Sequence, residues 1–566
     1  MQVRIGIFLC DCGGSLKNID FLTIRENLEK SEDIAFVEIS HNLCLEEGEK
    51  AIASRILREN VNRVVIAACS PELCQDKFIR LLEGLGLNSN LLSIANIREQ
   101  CSWAHKGDAT EKALELIRMA INKARLLQPV ERKKVPVNKE VLVVGGGFSG
   151  MKSALELSQL GIRTTIVERE STLGGRLKEL EGFYGLETSP KEMFGSMTRA
   201  IEEDKNIEVL TSAEVAKVQG EAGDFALRIR SGGKESSRSF GAIVFATGYR
   251  TEILPQDFEL KPGSNIIPQQ KLIELLRTPG KLERRPETIA FALDFSDENS
   301  RLPTLSTLNN ALAVKEKLGS EVYVFYKNLK VDSEGTEKLY REARNQGVVF
   351  LKFEEKPRIC GEDGRVKVEA RDVLLGEEVT LLCDLLVAEE KVLPPEGTKA
   401  LSSMLNIETD SQGFYQDENV HLYPVASARK GMFFVGGCRG NLDLSRALSD
   451  ISSASVSVCE LLSPGEAMVE IEKVKADPQK CRACLTCIRV CPHKAIRLVR
   501  VDSEKWVAKI YDLACDRCGI CAAICPAKAI KFEGYSDEQI LAEVEAIYGE
   551  ALNTNRKSKG KSKNAN

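Results

Sequence analysis

Val141-Leu-Val-Val-Gly-Gly-Gly-Phe-Ser-Gly150 runs an apolar strand straight into a G-x-G-x-x-G turn made by Gly145, Gly147 and Gly150. An apolar-periodic stretch, Met151–Leu160, follows and predicts a helix. Glycines in that order permit a tight turn and let a pyrophosphate approach the helix N-terminus, where free backbone N–H groups favour an anion. A second strand, Thr164–Val167, ends in Glu168 and Arg169, which places a carboxylate about 20 residues on, where a ribose hydroxyl would sit. The reading is a dinucleotide-binding α/β domain, with Phe148 and Ser149 inside the turn as further contacts. The alternatives are a nicotinamide site and an ordinary strand–helix turn.

Working outward, Leu173-Gly-Gly-Arg176, Ala246-Thr-Gly-Tyr249 and a strand–Gly–helix element, Gly431–Gly437 followed by Leu444–Cys459, lie downstream. Together these elements resemble the two-dinucleotide-binding-domain flavoproteins of the thioredoxin reductase type, and the resemblance implies FAD in this domain. It carries over to Gly145, Gly147, Phe148, Ser149, Gly150, Glu168, Arg169, Gly175, Arg176, Thr247, Gly248 and Gly437 as cofactor contacts. The last element departs from that pattern: its usual aspartate is replaced in Gly436-Gly-Cys-Arg439, so Cys438 or a backbone N–H is expected to stand in. The next α/β stretch begins with strand Thr288-Ile-Ala-Phe-Ala-Leu-Asp294 but has no glycine fingerprint, so nicotinamide binding there is expected to be lost or altered. No C-x-x-C occurs outside the C-terminal cysteine run, which argues against dithiol chemistry.

Eighteen cysteines need a reason, and eight fall within 45 residues. Cys481, Cys484, Cys487 and Cys491-Pro492 form C-x2-C-x2-C-x3-C-P, and Cys515, Cys518, Cys521 and Cys525-Pro526 repeat it after 34 residues. This is the two-cluster ferredoxin pattern, in which the fourth cysteine of each run reaches the other cluster. One [4Fe–4S] set is then Cys481, Cys484, Cys487 and Cys525; the other is Cys515, Cys518, Cys521 and Cys491. Zinc is the competing ligand for a four-cysteine site. Near the N-terminus, Cys10, Cys44, Cys69 and Cys101 each follow a predicted strand closely. Strand carboxyl ends share one edge of a parallel sheet, so these thiols are expected to converge on a third [4Fe–4S] cluster, with Cys12 and Cys74 as nearby alternatives. The competing reading is that they are small buried hydrophobes.

At 566 residues the chain is too long for a single core. The expected layout is an N-terminal α/β domain over 1–130, a first FAD segment over 138–285 and a degenerate NAD-type α/β domain over 286–395. A second FAD segment follows over 396–465, then an α+β ferredoxin domain over 470–535 and a disordered basic tail over 553–566. In the first of these, strands are expected at Ile5–Leu9, Ala35–Ile39, Val64–Ala68 and Leu91–Ile94. A net charge of −5 gives no footprint for nucleic acid, and no apolar run is long enough to span a bilayer. With no secretory pattern at the N-terminus and many free thiols, a cytoplasmic location is expected.

The whole arrangement is similar to the A subunit of heterodisulfide reductase and its bacterial relatives. The likeness rests on Ala67-Ala-Cys-Ser-Pro71, Asn96-Ile-Arg-Glu-Gln-Cys-Ser-Trp103, the glycine turn, Leu173–Arg176 and the order of the paired cysteine runs. It implies an oxidoreductase subunit that exchanges electrons between FAD, clusters and partner proteins. Expected partners are heterodisulfide reductase B- and C-like subunits, hydrogenase-type or NADH-oxidising subunits, and a second copy of the chain. Some members bifurcate electrons at the flavin. Longer members carry extra cysteines after the Gly-Gly-Arg motif, whereas Glu181–Met193 has none here, so this chain reads as a short form. No side chain is assigned as a catalytic acid or base. The rival readings are a non-catalytic relay and docking hub, and an autonomous NAD(P)H-dependent reductase.

Overall fold

The computed structural model describes residues 2–179, 189–253, 265–277, 284–295, 301–332, 335–440, 443–502 and 505–548. The basic tail and most of Glu181–Met193 lie outside these. The chain divides into two compact units. One comprises Met1–Lys133, Met468–Cys491 and Ala495–Asn566; the other comprises Lys134–Ala467 and Pro492–Lys494.

The first unit opens with a four-stranded parallel sheet of β1 (Ile5–Cys10), β2 (Ile34–Ser40), β3 (Arg63–Ala68) and β4 (Leu92–Asn96), in the order β2-β1-β3-β4. The four strands coincide with the expected ones to within two residues. β1 is buried along its whole length, as the apolar run Ile5-Gly-Ile-Phe-Leu-Cys10 requires of a strand covered on both faces. Helices α1 (Phe21–Leu28) and α4 (Thr110–Leu126) cover one face, while α2 (Glu46–Glu59) and α3 (Pro71–Gly84) cover the other. The order reverses between β1 and β3, and such a switch point leaves a crevice beyond the strands' carboxyl ends.

The cysteine-dense module belongs to the same unit. Its strand Val474–Ala476 pairs with Ile530–Phe532, and a hairpin pairs Ile496–Arg500 with Trp506–Ile510. The helix Asp537–Tyr548 then packs along α4 of the N-terminal sheet domain. There Lys123 meets Glu543 at 3.3 Å and lies 4.1 Å over the Tyr535 ring, and the Gln539 amide donates to Leu126 O at 3.3 Å.

The second unit contains two halves built on one plan. Strands Glu140–Val144, Arg163–Val167, Ile207–Leu210, Ala242–Phe245 and Met432–Phe434 form a parallel sheet with Glu140–Val144 at its centre, the doubly wound order. A three-stranded antiparallel excursion, Ala213–Phe240, interrupts the sequence. The other half repeats the order with Thr288–Ala292, Glu321–Tyr326, Val348–Lys352 and Leu385–Ala388, and its own antiparallel excursion is Arg358–Cys383.

Candidate functional site

The glycine turn has the geometry its sequence predicts. Gly145 takes φ +108°, and a Cβ there would collide with Ala246 O; a Cβ on Gly150 would collide with Gly145 O. Both positions therefore admit only glycine, because helix and strand backbones close on one another there. At Gly147, by contrast, a Cβ meets nothing within 4 Å, so space opens at the mouth of the helix Phe148–Gln159. The Glu168 carboxylate returns to this turn: it accepts from Gly146 N at 2.6 Å and from Glu170 N at 2.8 Å, leaving a lone pair on each oxygen for a hydroxyl. Gly174 N donates to Gly146 O at 2.8 Å, which holds Gly175 and Arg176 beside the turn, and Arg176 stacks over Tyr249 at 4.8 Å. Gly436 presses on Ser149 and Gly437 on Tyr249.

Thus Glu168, Gly175 and Thr247 lie against the turn, Ser149 meets Gly436, and Tyr249 joins Arg176 to Gly437. Arg169 instead points outward, mostly exposed and paired with Glu170 at 3.6 Å. Lys152 is tied to Glu156 at 3.4 Å. Two buried hydroxyls, Thr247 Oγ1 and Tyr415 Oη, lie near one another without reaching hydrogen-bond geometry. Unsatisfied buried polar atoms at this edge fit a polar cofactor that would partner them.

The expected stand-in for the missing aspartate is not Cys438. Its thiol is fully buried and donates to Phe245 O and Val435 O, both at 3.2 Å, and burial pushes it up to about 12. The neighbouring Arg439 forms the polar feature at this corner. It is clamped between Asp417, with Nε–Oδ1 at 3.0 Å, and Asp450 from the helix Leu444–Leu462. Sequence reading missed Asp417 and Asp450, and no local spacing marks them, since each meets Arg439 only through the fold.

In the second half, the edge where a pyrophosphate would lie is acidic. Asp294 adopts φ +64° and accepts from Lys327 N and Asn328 N at 3.1 and 2.6 Å. Glu389 accepts from Phe295 N at 2.9 Å, and Glu390 accepts from the Thr251 hydroxyl at 2.7 Å. All three are buried. Asp294 and Glu389 thus occupy backbone N–H groups at this edge with their own carboxylates.

In the cysteine module, one cavity is lined by Cys481, Cys484, Cys487 and Cys525. That is the crossed set expected from the two runs. Cys491, Cys515, Cys518 and Cys521 act electrostatically on one another as a second group. Burial and neighbouring thiols push Cys521 up to about 12 and raise Cys487 and Cys515. Crowded thiols of this kind ionise together only around cationic metal, so the donor sets fit two iron–sulfur clusters. Backbone N–H groups of Ala495, Ala508 and Ala529 already point at Cys491, Cys481 and Cys525 sulfurs, at 3.4, 3.5 and 3.3 Å.

At the N-terminal switch point the thiols gather differently from the expected four. Cys10 Sγ lies 3.9 Å from Cys12 Sγ, and Cys69 Sγ lies 3.6 Å from Cys74 Sγ. Cys74 feels Cys69, Cys44 and Cys10, while Cys12 feels Cys10 and Cys69. The Cys12 thiol, as donor, pulls Cys10 down to about 6, whereas burial first and Cys69 second push Cys74 up to about 12. Cys101 does not join them. A π-helical turn, Arg98–Ser102, carries it into the core under α4, where its thiol donates to Ala109 O at 3.5 Å.

Residues 139–281 match the model of the pyridine nucleotide-disulphide oxidoreductase family, and residues 472–530 match a 4Fe-4S dicluster domain. Among curated proteins, the second iron–sulfur A subunit of the CoB–CoM heterodisulfide reductase of Methanopyrus kandleri is 29% identical over 609 residues, covering 89% of this chain and 92% of that protein. The A subunit of the H(2):CoB-CoM heterodisulfide,ferredoxin reductase of Methanothermobacter thermautotrophicus is 28% identical over 653 residues, covering 97% and 98%. The chain is like the heterodisulfide reductase A subunit along nearly its whole length. It is an oxidoreductase with a flavin-redox domain and a 4Fe–4S dicluster domain, and it serves electron transfer. A solved Lactococcus lactis thioredoxin reductase aligns at 17% identity and TM-score 0.41, covering 58% of this chain and all of that one. Among the described residues, no helix is long and apolar enough to cross a membrane.

Proposed function

We propose that this chain is the FAD- and iron–sulfur-dependent electron-transfer subunit of a heterodisulfide reductase-like complex, passing electrons between partner proteins. One observation carries the reading. A glycine turn that opens only at Gly147, and two crossed four-thiol sets, occur on the same chain. FAD when bound supplies exchange between two-electron and one-electron chemistry. The chain's own residues would bind and orient it: Gly145, Gly147 and Gly150 by close backbone approach, Glu168 by accepting from ribose hydroxyls, and Thr247 by satisfying its buried hydroxyl. A third cluster is proposed on four of the five thiols Cys10, Cys12, Cys44, Cys69 and Cys74, without Cys101.

Partners of the B- and C-like, hydrogenase-type or NADH-oxidising kinds, and a second copy of the chain, belong to the same reading. Its finer form is flavin-based bifurcation, tested by whether one donor reduces two acceptors in equal amounts. The buried carboxylates at the second half's edge speak against an autonomous NAD(P)H reductase. The deciding experiment is anaerobic purification with quantification of iron, sulfide and flavin: about eight or about twelve iron atoms are expected, with about one flavin. A chain that binds no flavin under these conditions defeats the proposal.

A further inference from the structure

The two half-repeats of the cysteine module differ in charge. Lys480–Ile510 carries eight Lys and Arg against two acidic residues, Asp502 and Glu504. Tyr511–Glu545 carries three against seven. The acidic half runs into the helix that packs on α4. The basic half lines most of the Cys481, Cys484, Cys487 and Cys525 cavity, the run Cys525–Ile530 closes the rest, and Cys484 is exposed.

The hairpin geometry adds an apolar centre to this charge. Leu498 and Ala508 are directly paired and both line that cavity. Side chains alternate faces along a strand, so the next pair on the same face is Arg500 and Trp506. Trp506 is 49% exposed, and Leu485, from the ligand loop itself, is 36% exposed. Arg482 and Arg489 are exposed on the same ligand segment, and neither makes an ion pair among the described residues. An exposed tryptophan and leucine ringed by arginines, beside a thiol set whose Cys484 is exposed, is the anatomy of a contact patch with an aromatic anchor and a charged rim.

We infer that this face docks an acidic one-electron carrier protein, and that electrons enter or leave the chain there, at the Cys481/Cys484/Cys487/Cys525 set. The inference rests on the proposed cluster-bearing function and names the partner's chemistry. In each encounter one electron crosses: the reduced carrier is oxidised by one electron and the cluster held by these thiols is reduced by one, or the reverse. No covalent bond is made or broken. The basic rim steers an acidic partner over a distance of about one Debye length, roughly 10 Å at 0.1 M salt, and Trp506 supplies the desolvated contact.

The test uses the anaerobically purified full-length holoprotein and a purified acidic bacterial ferredoxin as probe, with affinity measured across ionic strength. Arg489→Glu combined with Arg482→Glu is expected to weaken binding about tenfold or more at low salt, with the gap closing at high salt. Trp506→Ala is expected to weaken binding at all salt concentrations. The matched control, Lys528→Glu with Lys531→Glu within the acidic half, is expected to leave affinity within about twofold. Iron content and the low-temperature paramagnetic signal of the reduced protein are read on every variant, so a lost cluster is not mistaken for a lost contact. Equal weakening by the control pair, unchanged binding in both the arginine and Trp506 variants, or equally tight binding of a basic carrier of similar size overturns the docking face. Wild-type protein without iron removes the underlying function as well, whereas wild-type iron with unaltered binding removes the docking face alone.

Discussion

The two halves of the second unit share strand order and an antiparallel excursion at the same point, yet they differ just past the first strand of each, at Gly145 and at Asp294. In the first half Gly145 and Gly150 let strand, helix and the segment at Ala246 converge, and Gly147 leaves space. In the second, Asp294 and Glu389 fill the corresponding edge with carboxylates held by backbone N–H groups. The same scaffold therefore either closes on glycine at this point or sets its own carboxylates against backbone N–H groups. Fold alone carries no binding function; the turn's residues do.

The comparison breaks most sharply at Gly150. Gly150→Val drives a side chain into Gly145 O, so loss of bound flavin is expected together with about 3 kcal/mol of stability, at the top of the overpacking range. Flavin absorbance and chemical denaturation read both effects, and retained flavin would refute the role of the turn. Arg439→Met, at the strand–helix element closing the same half, strands two buried carboxylates and is expected to cost about 3–5 kcal/mol. A cost under about 1 kcal/mol would show that Asp417 and Asp450 are satisfied otherwise.

The second half is probed by ligand rather than mutation. NADH or NADPH at about 1 mM, the upper end of usual KM values, is expected to leave the oxidised flavin spectrum unchanged in the isolated chain. Bleaching would overturn the reading of the acidic edge. The smallest effect is expected for Cys438→Ala: flavin content stays within about twofold, because the thiol is already engaged with Phe245 O and Val435 O, while stability falls by about 1 kcal/mol.

The sequence alone determined a good deal. Strand positions in the first domain follow from short apolar runs, and Gly145, Gly147 and Gly150 follow from a turn that needs positive φ and close backbone approach. The crossed thiol sets follow from a spacing that repeats. All of these signals are local or periodic, so they survive reading in one dimension.

What only the tertiary structure decided were facings. Cys69 follows its strand directly and Cys101 follows its own by five residues; a π-helical turn in that gap carries Cys101 into the layer under α4, while Cys12 and Cys74 meet the switch-point group. Cys438 turns inward, and Arg439 finds Asp417 and Asp450, respectively 22 residues before it and 11 after it in the chain. Such choices depend on which layer covers a side chain and which distant group is left to satisfy it. Those are properties of packing between segments far apart in the chain, and no window of sequence contains them.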